Sequence, residues 1–283
     1  MKGPFMPIAT VNNIKLHFEE YGSGPPVVLV MGSGAGGRAW TPHQVPALTA
    51  AGYRVVTIDN RGIPPTDAGQ EGFTLDDMVG DIVGLIEFLG ISPCRIVGFS
   101  LGGVMVQELL LAHPELASQA VLIATRGRTD AMRAAMSVGW SELLERDVAL
   151  PPRYAAAVHA MQYLSPRTQN DERRIRDWLD IFEMAPLDPS VRQTQQKLDL
   201  IGNRLEEYRK IRCHCLIVGF QDDLVVPAFF GRELAGYIPD CRYEEVAECG
   251  HYGYLERPDV INSLIVNFFR EAEEHQAGAS VNP

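Results

Sequence analysis

Arg95-Ile96-Val97-Gly98-Phe99-Ser100-Leu101-Gly102 is the stretch whose reading decides the fold. Its first three residues predict a strand, and from Leu101 to His113 the apolar residues recur at helical spacing. A chain that passes from strand to helix within one residue forces that residue into a strained backbone conformation. Glycine on both flanks removes the side-chain collisions and leaves the serine hydroxyl exposed at the sheet edge. The helix N-terminus beside it adds free N–H groups and the positive end of a dipole. Gly-x-Ser-x-Gly alone arises by chance in roughly one chain in ten of this length. The strand-to-helix context makes it specific.

Outward from this turn, β-branched runs recur at residues 27–30, 54–58, 120–123, 216–218 and 242–246. Between several of them lie helical patterns. Residues 74–89 are the clearest: Thr74 caps, Asp76 and Asp77 suit the N-terminus, Met78, Ile82, Leu85, Ile86 and Leu89 form one stripe, and Gly90 ends it. Residues 258–269 open with Pro258 and read the same way. Strands alternating with helices predict an α/β fold, a mostly parallel central sheet flanked by helices. The first two runs, Ile8–Val11 and Ile14–Tyr21, differ; Asn12-Asn13 joins them as an antiparallel hairpin.

The alternation stops over residues 125–210. That stretch predicts a helical cap inserted between two strands, with residues 1–124 and 211–283 as the core domain. An insertion at the carboxyl end of a strand lies over the place where α/β sheets bind ligands. Its Trp140, Tyr154, Met161, Tyr163, Trp178, Phe182 and Met184 are expected mainly as core. The polar tail from Gln276 is expected to fray.

Serine needs a base, and the base needs an orienting group. Among seven histidines, His251 stands in a glycine-bracketed loop, Gly250-His251-Tyr252-Gly253, between a strand and a proline-initiated helix. That puts it at the same sheet edge as Ser100. His113 reads as a helix C-cap, His17 lies mid-strand, His275 lies by the tail, and His43 and His159 have no strand-end context. The run from Leu216 enters a loop with two carboxylates, Asp222 and Asp223, either of which can hold the imidazole. Chain order is then Ser, Asp, His. An oxyanion needs two preorganised N–H donors. One is that of Leu101; the glycine-rich loop Gly32-Ser33-Gly34-Ala35-Gly36-Gly37 supplies the other. This loop lacks the lysine and hydroxyl of a phosphate-binding loop.

These motifs resemble the α/β-hydrolase superfamily from about Ile8 to Phe269. Gly98-Phe99-Ser100-Leu101-Gly102 is similar to its nucleophile elbow, and Asp59-Asn60-Arg61-Gly62 to its D-x-R-G turn. Asp223 stands four residues before Pro227, as the family's acid does, so the resemblance implies Asp223. Gly250-His251 with Glu256-Arg257-Pro258 matches the family's G-H-x-x-x-x-E-x-P ending. By position, Ser33 gives the second oxyanion N–H, with Met31-Gly32 where many relatives have His-Gly. The resemblance implies a catalytic triad of Ser100, Asp223 and His251, no cofactor, and hydrolysis of an ester, thioester or lactone. A serine elbow argues against epoxide hydrolases and haloalkane dehalogenases, which use aspartate there. Meta-cleavage C–C hydrolases share the Ser33-Gly34-Ala35-Gly36 pattern but carry Trp and Asn where this chain has Tyr252 and Phe99. Perhydrolases, lyases and cyclases use the same triad, and a ligand-binding receptor with a vestigial triad is a further alternative.

Composition excludes other classes. Acidic residues outnumber basic ones, 36 to 25, so nucleic acid and anionic membranes are not expected partners. The five cysteines include no CxxC pair, which predicts a reducing, cytoplasmic setting. Cys213-His214-Cys215 reads as a strand start rather than a metal site. The expected ligand is a small organic substrate.

Overall fold

A computed structural model describes residues 7–69, 72–146, 148–184, 194, 195, 197, 198 and 200–279. Within them, one sheet holds β1 (Ile8–Val11), β2 (Ile14–Tyr21), β3 (Pro26–Val30), β4 (Arg54–Ile58), β5 (Cys94–Phe99), β6 (Ala117–Ile123), β7 (His214–Phe220) and β8 (Cys241–Val246). Their order is β1-β2-β4-β3-β5-β6-β7-β8, antiparallel from β1 to β4 and parallel beyond. Asn12 and Asn13, both left-handed at φ 44° and 62°, turn the opening hairpin. The helices are α1 (Gln44–Ala50), α2 (Leu75–Leu89), α3 (Leu101–Ala112), α4 (Ala131–Glu145), α5 (Pro152–Tyr163), α6 (Glu172–Met184), α7 (Ala228–Ala235) and α8 (Pro258–Ala279), with shorter helical turns between some of them.

Alternation along the parallel strands builds two cores. Val28, Val30, Ile96, Ala120, Leu122 and Ile217 face α2 and α3, whereas Val27, Leu29, Val97, Val121, Leu216 and Val218 face α1 and α8. All twelve are fully buried, and burying each large aliphatic chain contributes about 1.5–3 kcal/mol. Helix α2 is held at its start by a capping box: Asp77 N–H donates to the Thr74 hydroxyl while Thr74 N–H donates to the Asp77 carboxylate. It ends at Gly90 with φ 61°.

Helices α4, α5 and α6 lie between β6 and β7, within the expected insertion; residues 185–193 of that stretch are outside the described residues. None of its seven large Met and aromatic side chains is buried, contrary to the core reading. Met161 and Met184 are 60% and 82% exposed. Among the described residues, α4 and α6 bury none of their side chains and α5 buries only Ala156 and Ala160. Helix α8 is also longer than expected, running past Phe269 and Gln276 to Ala279. Arg270-Glu271-Ala272-Glu273-Glu274 are good helix formers, and no stop signal intervenes before Gly278. Residues 280–283 of the expected frayed tail lie outside the described residues.

Candidate active site

β5 occupies the middle of the sheet, and the chain turns from it directly into α3 at Ser100. Ser100 has φ 53° and ψ −118°, a conformation that costs an ordinary residue about 1–3 kcal/mol. Its neighbours hold it there. Ser100 N–H donates to the Ile123 carbonyl at 2.9 Å, and the Ser100 carbonyl accepts from Gly103 N–H at 2.9 Å and the Thr125 hydroxyl at 3.0 Å. The flanking glycines are sterically required: a Cβ on Gly98 would stand 2.5 Å from the Gly102 carbonyl oxygen, and one on Gly102 2.5 Å from that of Val30.

His251 and Asp223 reach this serine from the ends of β8 and β7. His251 Nε2 lies 3.2 Å from Ser100 Oγ, and its Nδ1 lies 2.7 Å from Asp223 Oδ2. The other Asp223 oxygen accepts from Val225 and Val226 N–H, both at 2.8 Å. All three side chains are buried, at 8%, 2% and 2% exposure for Ser100, His251 and Asp223. Asp222 faces the other way, beside Glu248 and Arg167 in a shallow surface depression. Partial burial together with Glu256 and Glu248 raises its pKa above the usual carboxylate range. Phe99 and Tyr163 flank the His251 ring, at centroid distances of 4.9 and 5.4 Å.

The loop after β3 closes on the same point. Gly32 lies so near that a Cβ on it would stand 3.0 Å from the Ser100 Cβ. Asn60 donates to the Met31 carbonyl at 2.7 Å, and Asp59 accepts from Gly37 N–H at 2.7 Å while its other oxygen lies 2.7 Å from His17 Nδ1. Buried Gln195 spans the loop, accepting from Gly34 N–H at 2.6 Å and donating to the Arg61 carbonyl at 3.0 Å. Among the described residues, the N–H groups of Ser33 and Leu101 find no protein acceptor. Two unsatisfied donors beside a serine hydroxyl can receive a developing oxyanion.

A cavity of about 380 Å³ opens above Ser100. Met31, Ala35, Phe99, Met132, Met136, Trp140 and Leu200 give it an apolar wall, and Arg126, Ser137, His159 and Gln162 add polar groups. The loop that carries His251 is joined to the insertion backbone. Tyr252 N–H donates to the Tyr163 carbonyl at 3.0 Å, and a Cβ on Gly250 would stand 2.6 Å from that same oxygen. Buried Glu256 accepts from Gly250 N–H at 2.7 Å with one oxygen, and from Ser165 N–H at 2.9 Å and the Ser165 hydroxyl at 2.7 Å with the other.

A family model described as "Alpha/beta hydrolase family" matches residues 27–264. The chain belongs to the alpha/beta hydrolase family. This hydrolase is 44% identical over 258 residues to "Putative non-heme bromoperoxidase BpoC" of Mycobacterium tuberculosis, covering 90% of this chain and 98% of the relative. The crystal structure of that relative superimposes with a TM-score of 0.86 at 43% identity, over 90% of this chain and 96% of the other. The hydrolase is also 25% identical over 274 residues to 2-hydroxy-6-oxo-6-phenylhexa-2,4-dienoate hydrolase of Comamonas testosteroni, covering 92% and 93% of the two chains. An enol-lactonase from Burkholderia xenovorans LB400 matches with a TM-score of 0.77 at 25% identity, over 93% of this chain and all of the other.

Sequence reasoning passed over two cavity residues of this hydrolase. His159, set aside for lacking a strand-end position, lines the cavity from α5, its Nε2 3.1 Å from the Tyr252 hydroxyl. Arg126 follows β6 by three residues, a charged residue just past a strand's carboxyl end, and that position was the available signal. Among the described residues no His, Cys, Asp and Glu group suits a metal ion, and no helix is long and apolar enough to cross a membrane.

Proposed function

We propose that this chain is a serine hydrolase that cleaves an ester, thioester or lactone of a small organic substrate through an acyl-enzyme on Ser100. The observation that carries the reading is the unbroken line from Ser100 Oγ to His251 to Asp223 beside two N–H groups without protein acceptors. His251 takes the serine proton as Oγ attacks the carbonyl carbon, and Asp223 holds the Nδ1–H tautomer and the imidazolium that forms. Ser33 and Leu101 N–H groups receive the oxyanion. Its collapse expels the alcohol or thiol, which takes the proton back from His251. Water, deprotonated by the same histidine, then releases the acid. Residues 125–210 act as a cap that excludes water and selects the substrate, over a core of residues 1–124 and 211–283.

Similarity to the bromoperoxidase favours a second reading on the same acyl-enzyme. Hydrogen peroxide in place of water would release a peracid, the outcome of a perhydrolase. Similarity to the dienoate hydrolase keeps C–C hydrolysis as a third.

The test is labelling with a fluorophosphonate, read by intact mass and peptide mapping, alongside a panel of aryl esters, thioesters and lactones. A single adduct on Ser100 and turnover that disappear together in Ser100→Ala are expected. Labelling that persists in Ser100→Ala overturns the assignment. Peracid formed faster than acid in equimolar peroxide would establish the second reading.

A further inference from the structure

Gln195 is a polar residue that the proposed mechanism leaves unused, and it lies wholly out of solvent, at 0% exposure. It belongs to the chain between β6 and β7, 161 residues from the loop it touches. Both ends of its amide are engaged. Its Oε1 accepts from Gly34 N–H at 2.6 Å, and its Nε2 donates to the Arg61 carbonyl at 3.0 Å. Arg61 is itself fixed, since its guanidinium makes two bonds to buried Asp81, at 2.8 and 2.6 Å. The bond to the Arg61 carbonyl sets the amide's orientation, so that oxygen rather than nitrogen faces Gly34.

Gly34 sits in the middle of the loop that carries Ser33. Residues 32–35 form a turn, with Ala35 N–H donating to the Gly32 carbonyl at 3.5 Å and Gly34 left-handed at φ 72°. A left-handed third residue marks a type II turn; type I differs from it by turning over the peptide between the second and third residues. Here that peptide joins Ser33 to Gly34. Turned over, it would break the Gly34 bond and point the Ser33 carbonyl at Gln195 Oε1, oxygen against oxygen. The peptide plane before it carries Ser33 N–H, and the two planes meet at the Ser33 Cα. The ends of the loop are held from the sheet, by Asn60 on the Met31 carbonyl and by Asp59 on Gly37 N–H. Gln195 holds the middle.

We propose that Gln195 is a positioning residue for the oxyanion pocket: it locks the 32–35 turn in the form that leaves Ser33 N–H facing the reacting carbonyl. The chain between β6 and β7 then supplies part of the catalytic geometry as well as a wall of the cavity. This inference rests on the serine-hydrolase reading for the reaction, whereas the lock itself concerns only the loop. A missing oxyanion donor costs about 10²–10³ in kcat, and a misaimed one costs less.

Two substitutions test it. Gln195→Met has similar length and keeps neither bond. Gln195→Glu keeps an oxygen for Gly34 N–H but sets a second one against the Arg61 carbonyl and buries a charge. Gln195→Met is expected to lower kcat on an aryl ester about 30-fold, about 2 kcal/mol, with KM within about threefold. Inhibition by an aryl trifluoromethyl ketone, whose serine adduct carries the oxyanion, should weaken by the same factor. Gln195→Glu should be the less stable of the two in urea yet keep more of kcat, the reverse of what a packing role predicts. Three results each overturn the inference and leave the hydrolase reading intact: kcat within about threefold of wild type in Gln195→Met, unchanged inhibition by the ketone, or losses of kcat that follow the losses of stability. If the wild type turns over no ester, the hydrolase reading fails instead, and amide exchange read by mass spectrometry decides the lock. Faster exchange over residues 32–37 in Gln195→Met, with β5 unchanged, supports it; equal exchange overturns it.

Discussion

The sheet and the inserted helices hold their residues by different means. Strands β3, β5, β6 and β7 present side chains buried from both faces, with backbone ladders on either side. Helices α4 and α6 have no buried residue at all, and α5 buries only Ala156 and Ala160. The insertion is fastened instead at particular points: Ser165 to Glu256, Tyr163 to Tyr252, His159 to Tyr252, Arg133 to Leu224 and Arg204 to Glu108. On the proposed mechanism, the reacting groups stand at the ends of the buried sheet strands, and the groups that would choose among ligands stand on the less buried part, which can diverge without unfolding the rest.

Four substitutions break or sharpen that contrast. Asp223→Asn is expected to lower kcat by about 10⁴-fold, because the amide favours the wrong imidazole tautomer. Asp222→Asn, one residue away and turned outward, should stay within about threefold; steady-state kinetics on one aryl ester compares them. Next, Phe268→Ala in the sheet's core should cost about 3–5 kcal/mol in urea unfolding. Phe182→Ala in α6 should cost less than about 1 kcal/mol, with its effect appearing in KM. Equal losses would mean that the insertion shares the core's cooperativity.

At the seam between the regions, Glu256→Gln replaces one accepting oxygen with an amide that cannot accept from Gly250 or Ser165 N–H. A loss of about 1.5–3 kcal/mol is expected, with kcat falling together with stability. The smallest effect lies far from the site. Thr74→Ala removes half of the α2 capping box and should cost about 1 kcal/mol in urea unfolding at pH 7. Hydrogen bonds from the Thr74 backbone and side chain hold the Asp77 pKa below the usual carboxylate range. A depressed folded-state pKa stabilises above the unfolded value, about 3.9 for Asp, and that contribution disappears as pH falls through the folded one. The Thr74→Ala difference should therefore shrink as pH falls below the unfolded-state value of about 3.9.

What was legible in the sequence follows the same division. Ser100 could be read because its demands are local: glycines at 98 and 102, a strand before it and a helix after it. The hairpin, the α2 cap and the sheet's alternation are local in the same sense. Asp222 and Asp223 could not be separated from residue types alone, since adjacent loop residues point apart only once Val225 and Val226 N–H grip one of them. His159 and Arg126 depend on a tertiary event, the insertion folding back over the strand ends, that periodicity does not encode. Aromatic residues of the insertion misled for a related reason. Helical spacing of large side chains signals a face that must be covered, and here part of the cover is a cavity, lined by Trp140 and Tyr163.

Glu256 has a consequence for traffic. Three of its bonds converge from two directions, so pulling Ser165 away would strip a buried carboxylate of two donors while the third still points at it. Charge-assisted bonds of this kind are worth about 1.5–3 kcal/mol each. The end of the insertion around Ser165 is accordingly held by buried charge-assisted bonds, whereas α4 meets the Leu224 loop through Arg133, which donates to the Leu224 carbonyl at 3.1 Å. Beside that contact, Met132 and Leu224 are 59% and 61% exposed and also line the cavity. If Ser100 reacts as proposed, substitutions at these two positions are expected to change which substrates fit without touching the Ser100, His251 and Asp223 contacts.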